Sequence, residues 1–158
     1  MPPGDRGAVK QLLDRNLKAL NAQDIEGVVA NQQPDTELVI PGGAVLRGHE
    51  QLRQYTEALW AAFPDGVFSF ASQVLAEDAA AVELVFSGTH DGPLVTADGV
   101  VEPTGKRVTL RSASVMRFRD GLIVSEHAYP DQLEFMKQLG LLPADRDAAG
   151  PAGECTEP

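Results

Sequence analysis

Residues 106–140 read KRVTLRSASVMRFRDGLIVSEHAYPDQLEFMKQLG, and this stretch decides the fold. Leu110, Ser112, Ser114, Met116 and Phe118 share one parity, while Arg107, Thr109, Arg111, Arg117 and Arg119 share the other. Period-two alternation of this kind is a strand with one face buried. Asp120-Gly121 follows, a strong two-residue hairpin signal, because both turn positions require positive φ. Leu122 onward reads as the returning strand. At Asp131 the period changes to that of a helix, which Gly140 closes as its C-terminal cap with Pro143 beyond. Strand, tight turn, strand and helix in succession point to an α+β chain.

A tight Asp120-Gly121 turn fixes an expected register. Arg119 pairs with Leu122, Phe118 with Ile123, Met116 with Ser125, Ser114 with His127, Ser112 with Tyr129, and Leu110 with Asp131. One face is then apolar near the turn and grades into Ser112, Ser114, His127, Tyr129 and Asp131. The other face carries the arginines and Glu126. A half-apolar concavity with a few converging polar groups is the form of a small-molecule pocket. This parity holds only without a bulge, since one inserted residue reverses it.

Working outward, Val9, Leu12, Leu13, Leu17 and Leu20 recur at helical spacing, and Asp24 caps a second, shorter helix. TELVIPGG is a brief strand stopped by Pro41 and two glycines. Leu52, Leu59, Trp60 and Phe63 form the stripe of a third helix. VFSFASQVLA and AAVELVFSGTH are strands joined at EDA, and residues 91–105 form a long loop or hairpin tip rich in Gly and Pro. Helices first and strands afterwards predict helices packed on one face of an antiparallel sheet, a single domain over 1–143. Residues 144–158 lack periodicity and are expected to be a disordered tail.

Composition narrows the function. A net charge of −10, from 13 basic and 23 acidic residues, argues against a nucleic-acid partner. The longest apolar run, Ala58–Phe63, is too short to cross a bilayer, and the start has no apolar signal core, so a soluble cytoplasmic protein with no membrane partner is expected. A lone cysteine, Cys155, excludes an intrachain disulfide. Three scattered histidines, unpaired at i, i+2 or i, i+4, argue against a metal site.

Asp131 has two readings. DQLE is a capping box in which the Asp131 carboxylate accepts the Glu134 N–H and Glu134 reaches back, worth about 1 kcal/mol without any catalysis. A cap uses one carboxylate oxygen and leaves the other for proton transfer. By pattern, His127 reads as a hydrogen-bonded strand residue and Tyr129 as packing. His90 and His49 read as exposed turn residues, and Trp60 as core or pocket wall.

The segments FSGTHDGPL and PTGKRVTLRSASVMRFRDGLIVSEHAYPDQLEFMKQLGLLP, with RGHEQLRQYTEALWAAFPD before them, resemble the SnoaL-like polyketide (ester) cyclase group of the nuclear-transport-factor-two-like superfamily. The C-terminal motif carries most of the likeness: G-x-I-x-x-E-H-x-x-x-D, then Q-L-G-L. The resemblance implies a cone of curved antiparallel sheet with three helices packed on it. It also implies a homodimer, a pocket needing no cofactor, and a small hydrophobic substrate. It places the general acid/base of an intramolecular aldol closure at Asp131. His127, Tyr129, Ser112, Ser114, Trp60 and His90 are the expected substrate-binding residues. Ala128 and Pro130 stand where relatives often carry bulkier side chains.

Two other functions fit the same cone. One is a non-catalytic ligand-binding or accessory dimer in which Asp131 is only a cap. The other, ranked lower, is epoxide hydrolysis or ketosteroid-type isomerisation. Epoxide hydrolysis needs an Asp-Arg-Asp set, whereas Arg111 is expected on the outer face here.

Overall fold

The computed structural model describes residues 5–142. The expected tail at 144–158, with Cys155, lies outside the described residues. Three helices come early: α1 (Arg6–Asn21), α2 (Ile25–Ala30) and α3 (Gly48–Ala62). The strands are β1 (Gln32–Val39), β2 (Val45–Arg47), β3 (Val67–Leu75), β4 (Ala79–Thr89), β5 (Leu94–Thr96), β6 (Gly99–Val101), β7 (Arg107–Arg119) and β8 (Leu122–Pro130). A last helix, α4 (Gln132–Leu139), ends the order. The chain is α+β, a curved sheet with helices on its concave side, as expected from the sequence. Among the described residues no helix is long and apolar enough to cross a membrane.

Three of the four helices start at a capping aspartate, while α3 begins after Arg47 with no side-chain cap. Asp5, Asp24 and Asp131 accept from Gly7, Gly27 and Glu134 respectively, removing one orphan donor per helix. Asp120 (φ 54°) and Gly121 (φ 74°) take the left-handed conformations of the tight hairpin turn.

Six strands form the main sheet in the order β2-β1-β8-β7-β4-β3, and β5-β6 make a small separate hairpin within residues 91–105. The sheet is mixed, because β1 runs parallel to β8. Connecting β1 to a partner nearly ninety residues later needs no tight turn, and the crossing lets the N-terminal helices lie over the sheet. The core lies between α1 and the concave face. Val9, Leu12 and Leu13 pack on Ala80, Val82, Met116, Phe118 and Ile123. Phe63, Phe86, Val108 and Leu139 close the other end, where α4 docks. There Gln138 both donates to and accepts from the Thr109 backbone, replacing the strand that β7 lacks at that end.

Candidate functional site

The β7–β8 hairpin starts in the expected register and then departs from it. Arg119 pairs with Leu122 and Phe118 with Ile123, but Arg117 pairs with Ser125, Met116 with Glu126, Val115 with His127 and Ala113 with Tyr129. Val124 is the extra residue, a bulge between the Phe118 and Arg117 pairs. It corrects the expected Met116–Ser125, Ser114–His127, Ser112–Tyr129 and Leu110–Asp131 pairings. Because the side-chain period is two, the slip reverses every position after it. His127 and Tyr129 turn to the convex face, exposed, with Tyr129 keeping 61% of its surface. Glu126 turns inward instead. The bulge lets Ile123, 1% exposed, stay in the core while the rest of β8 changes faces.

Glu126 meets a hydroxyl inside the cone. Ser114, 1% exposed, lies 2.8 Å through its Oγ from Glu126 Oε1. The cross-strand row that holds Glu126 is otherwise apolar, running Met116–Glu126–Leu38–Leu46 over β7, β8, β1 and β2. Burial pushes the Glu126 carboxyl up from the ordinary range, and the Ser114 hydrogen bond offsets part of that rise. From α3 comes Tyr55. Its phenol is pushed up first by burial and then by the Glu126 charge. Tyr55 nevertheless keeps 37% of its surface. Both hold together when a side chain lines a concavity, where protein atoms crowd the group while a surface remains open; Glu126, half-buried, shows the same combination.

The other expected residues divide. Ser112 and Ser114 are on the concave parity as expected, with Ser112 half-buried opposite Pro130. Trp60 is half-buried against Ala19, Val28 and Leu52, and its Nε1–H has no partner among the described residues. His90 is fully enclosed, which corrects the expectation of an exposed turn residue. The Thr104 backbone N–H donates to its Nδ1 at 3.2 Å, so the proton resides on Nε2, which is buried without a hydrogen bond. Burial lowers the His90 pKa; the nearby Gly92 carbonyl and Asp91 oppose this without meeting hydrogen-bond geometry at Nε2. His90 ties β4 to residues 104–106 and stacks on Phe63 at 5.3 Å. His49 is likewise not exposed: it is half-buried in the first turn of α3, its Nε2 3.2 Å from the Gln32 carbonyl.

Asp131 is exposed at the N-terminus of α4. Its Oδ1 accepts from the Glu134 N–H at 3.0 Å, while the Glu134 side chain turns to Gln138 instead of reaching back. One half of the capping box is therefore formed. A groove of about 260 Å³ passes Asp131, lined by Glu83, Arg111, Ala113 and Tyr129 of convex parity together with Leu84, Ser112 and Pro130 of concave parity. Glu126, a desolvated acid with apolar row neighbours, is on the concave side, which marks that side as a candidate site beside the groove at Asp131. Among the described residues, no group of three His, Cys, Asp or Glu side chains could hold a metal ion.

Glu126 and Tyr55 were not among the residues expected from sequence. A lone acid inside an otherwise alternating strand was the available signal, and the unseen bulge assigned it to the wrong face.

TsrD from Streptomyces laurentii superposes with a TM-score of 0.77 at 27% identity, over 87% of this chain and 98% of that one. AclR from Streptomyces galilaeus, a candidate hydroxylase, superposes at 0.76 and 25% identity, over 89% of each chain. IdmH from Streptomyces antibioticus, a candidate polyketide cyclase, gives 0.70 and 26% identity, over 83% and 97%. No curated protein matches the sequence. The family model described as SnoaL-like polyketide cyclase matches residues 10–139, the helices, the whole sheet and α4 together. The chain belongs to the SnoaL-like polyketide cyclase family.

Proposed function

We propose that this protein is a cofactor-independent cyclase that closes a ring in a small hydrophobic carbonyl compound by an intramolecular aldol step, with Asp131 as general acid/base. The observation that carries the reading is Asp131 beside a groove of about 260 Å³, with Glu126 and Ser114 among apolar row neighbours on the concave face of the same strands. Family membership supports the same reading. The Asp131 carboxylate takes a proton from carbon α to a carbonyl. The enolate carbon attacks a second carbonyl of the same molecule, a C–C bond forms, and the protonated acid returns its proton to the new alkoxide. Capping occupies Oδ1 and leaves Oδ2 for this work. An apolar cone holds the two carbonyls of one substrate near each other, replacing a chance encounter with a fixed geometry.

Asp131→Asn tests the assignment, because it keeps a capping oxygen and removes the acid. Ring closure of an enolisable polyketone should fall by about 10² or more, with stability nearly unchanged. Unaltered turnover removes Asp131 from the reaction.

A second reading, ligand binding without catalysis, is favoured by the exposure of Asp131 and its engagement as a cap. A homodimer is part of both readings. On the convex face one row, Val74–Ala81–Val115–His127–Val39–Val45, crosses all six strands. Val74 keeps 71% of its surface, Val115 44% and Val45 38%, an apolar band suited to a second copy.

A further inference from the structure

We propose that Glu126, held by Ser114 and flanked by Tyr55, forms an oxyanion site inside the cone, in which the neutral carboxyl and the phenol donate hydrogen bonds to a carbonyl or enolate oxygen of the ligand. This rests on the cone being the ligand site, as in the proposed function, and adds a group distinct from Asp131.

Three observations meet here. Glu126 faces the concavity only because of the Val124 bulge. Its Oε1 is held by Ser114, and Oε2 has no protein partner among the described residues, leaving that oxygen for a ligand. Its row neighbours, Met116 and Leu38, are apolar and supply no counter-charge. An acid in such surroundings is stable as the neutral form, and a neutral carboxyl can donate where a carboxylate only accepts. The raised pKa of Glu126 accords with this. Tyr55 is a second donor whose phenol senses the Glu126 charge. Two donors on the concave face, one of them fixed by Ser114, are matched to the charge that grows on oxygen when a carbon acid loses its proton. The matching ligand class is an enolisable carbonyl compound, or a planar hydroxyarene that presents an enolate-like oxygen.

The elements around Glu126 add no competing charge. Tyr55 is the α3 group whose titration responds to the Glu126 charge, while His49 on the same helix is engaged with the Gln32 carbonyl. Glu37, Arg47, Arg117 and His127 have the convex parity. The α1 face toward the sheet presents Leu12, Leu13 and Asn16.

The test is binding of 2-naphthol to the full-length protein between pH 4 and 8, followed by naphthol fluorescence. Glu126→Leu should weaken it about tenfold, the effect of one lost hydrogen bond. Wild-type affinity should fall as pH rises through the Glu126 titration, whereas Glu126→Gln, which still donates, should bind without that pH dependence. Ser114→Ala should move the midpoint upward, because the serine bond lowers the Glu126 pKa. Equal affinity in Glu126→Leu, or the same pH profile in Glu126→Gln, overturns the proposal. None of these readouts uses turnover, whereas the Asp131→Asn test of the cyclase reading is read by turnover alone. Loss of the oxyanion site and loss of the cyclase assignment are thereby distinguished.

Discussion

Ser114 Oγ and Glu126 Oε1 lie 2.8 Å apart on adjacent strands, and neither residue is in the same pairing register as the other. Ser114 pairs with Ala128 and Glu126 with Met116, so the contact is a diagonal across the concave face. Diagonal neighbours are within reach of a long side chain such as glutamate. The bond is thus a direct consequence of the bulge that turned Glu126 inward.

The raised Glu126 pKa has a consequence for stability. Between its unfolded value near 4.5 and its higher folded value, the native state binds more protons than the unfolded state. Stability therefore falls as pH rises through that window and levels off above it. In Glu126→Gln this component of the slope should vanish. Urea unfolding at pH 4.5 and pH 8 measures it, and an unchanged difference between the two pH values in the variant would contradict a desolvated carboxyl.

Asp65 should act in the opposite sense. Thr89 donates to its carboxylate through backbone and hydroxyl, and Arg107 adds a longer contact of 3.3 Å. The Thr89 backbone bond, followed by its hydroxyl, holds the Asp65 pKa below the usual value. Its contribution is present above the unfolded pKa and is lost as pH falls through the folded one. Asp65→Asn should therefore flatten the acid limb of stability, as read from melting temperatures between pH 2.5 and 5.

Deleting the bulge residue should leave the inward face of β8 unchanged. Without Val124, Ser125 follows Ile123, so Arg117–Ser125, Met116–Glu126 and Val115–His127 become a regular ladder with Glu126 still facing inward. A cooperative thermal transition by circular dichroism, at a lower midpoint because the local twist of the bulge is lost, is the expected result; loss of cooperative unfolding would show that the bulge itself is required for the fold.

Residues 91–105 are seated by a backbone contact. The Asp91 and Gly92 N–H groups both donate to the Ala62 carbonyl at 3.1 Å, at the end of α3. A Cβ on Gly92 would collide with the Ala61 carbonyl oxygen. Gly92→Ala should destabilise the fold by about 1–3 kcal/mol, the usual range for forced overpacking, measured by chemical unfolding. Asp98→Ala on the same segment should be close to neutral, since it touches no such contact.

On the convex face, Val115→Asp should convert a dimer to monomers without unfolding it. Val115 keeps 44% of its surface in the single chain, so the substitution removes little intramolecular packing. Light scattering across a concentration series reads the mass. A monomeric wild type would remove the dimer from the proposal.

Much of this molecule is determined by its sequence alone. Helical periodicity from Val9 to Leu20, aspartate caps at Asp24 and Asp131, the Asp120-Gly121 turn and the alternation along 107–119 are local signals, and each acts within a few residues. The family motif around Glu126-His127 and Gln138-Leu139-Gly140 is equally local. Two site features were decided only by tertiary structure. Val124 bulges because Ile123 must remain packed with Phe118 and Met116 while β8 also aligns with β1, a demand that comes from strands far apart in sequence. Polar and apolar residues in VSEHAYP fit either parity, so alternation by itself could not say whether Glu126 or His127 faces inward. His90 looked like a turn residue because its neighbours are Asp91 and Gly92. It is enclosed because α3 and residues 104–106 close around it, and no window of sequence contains both.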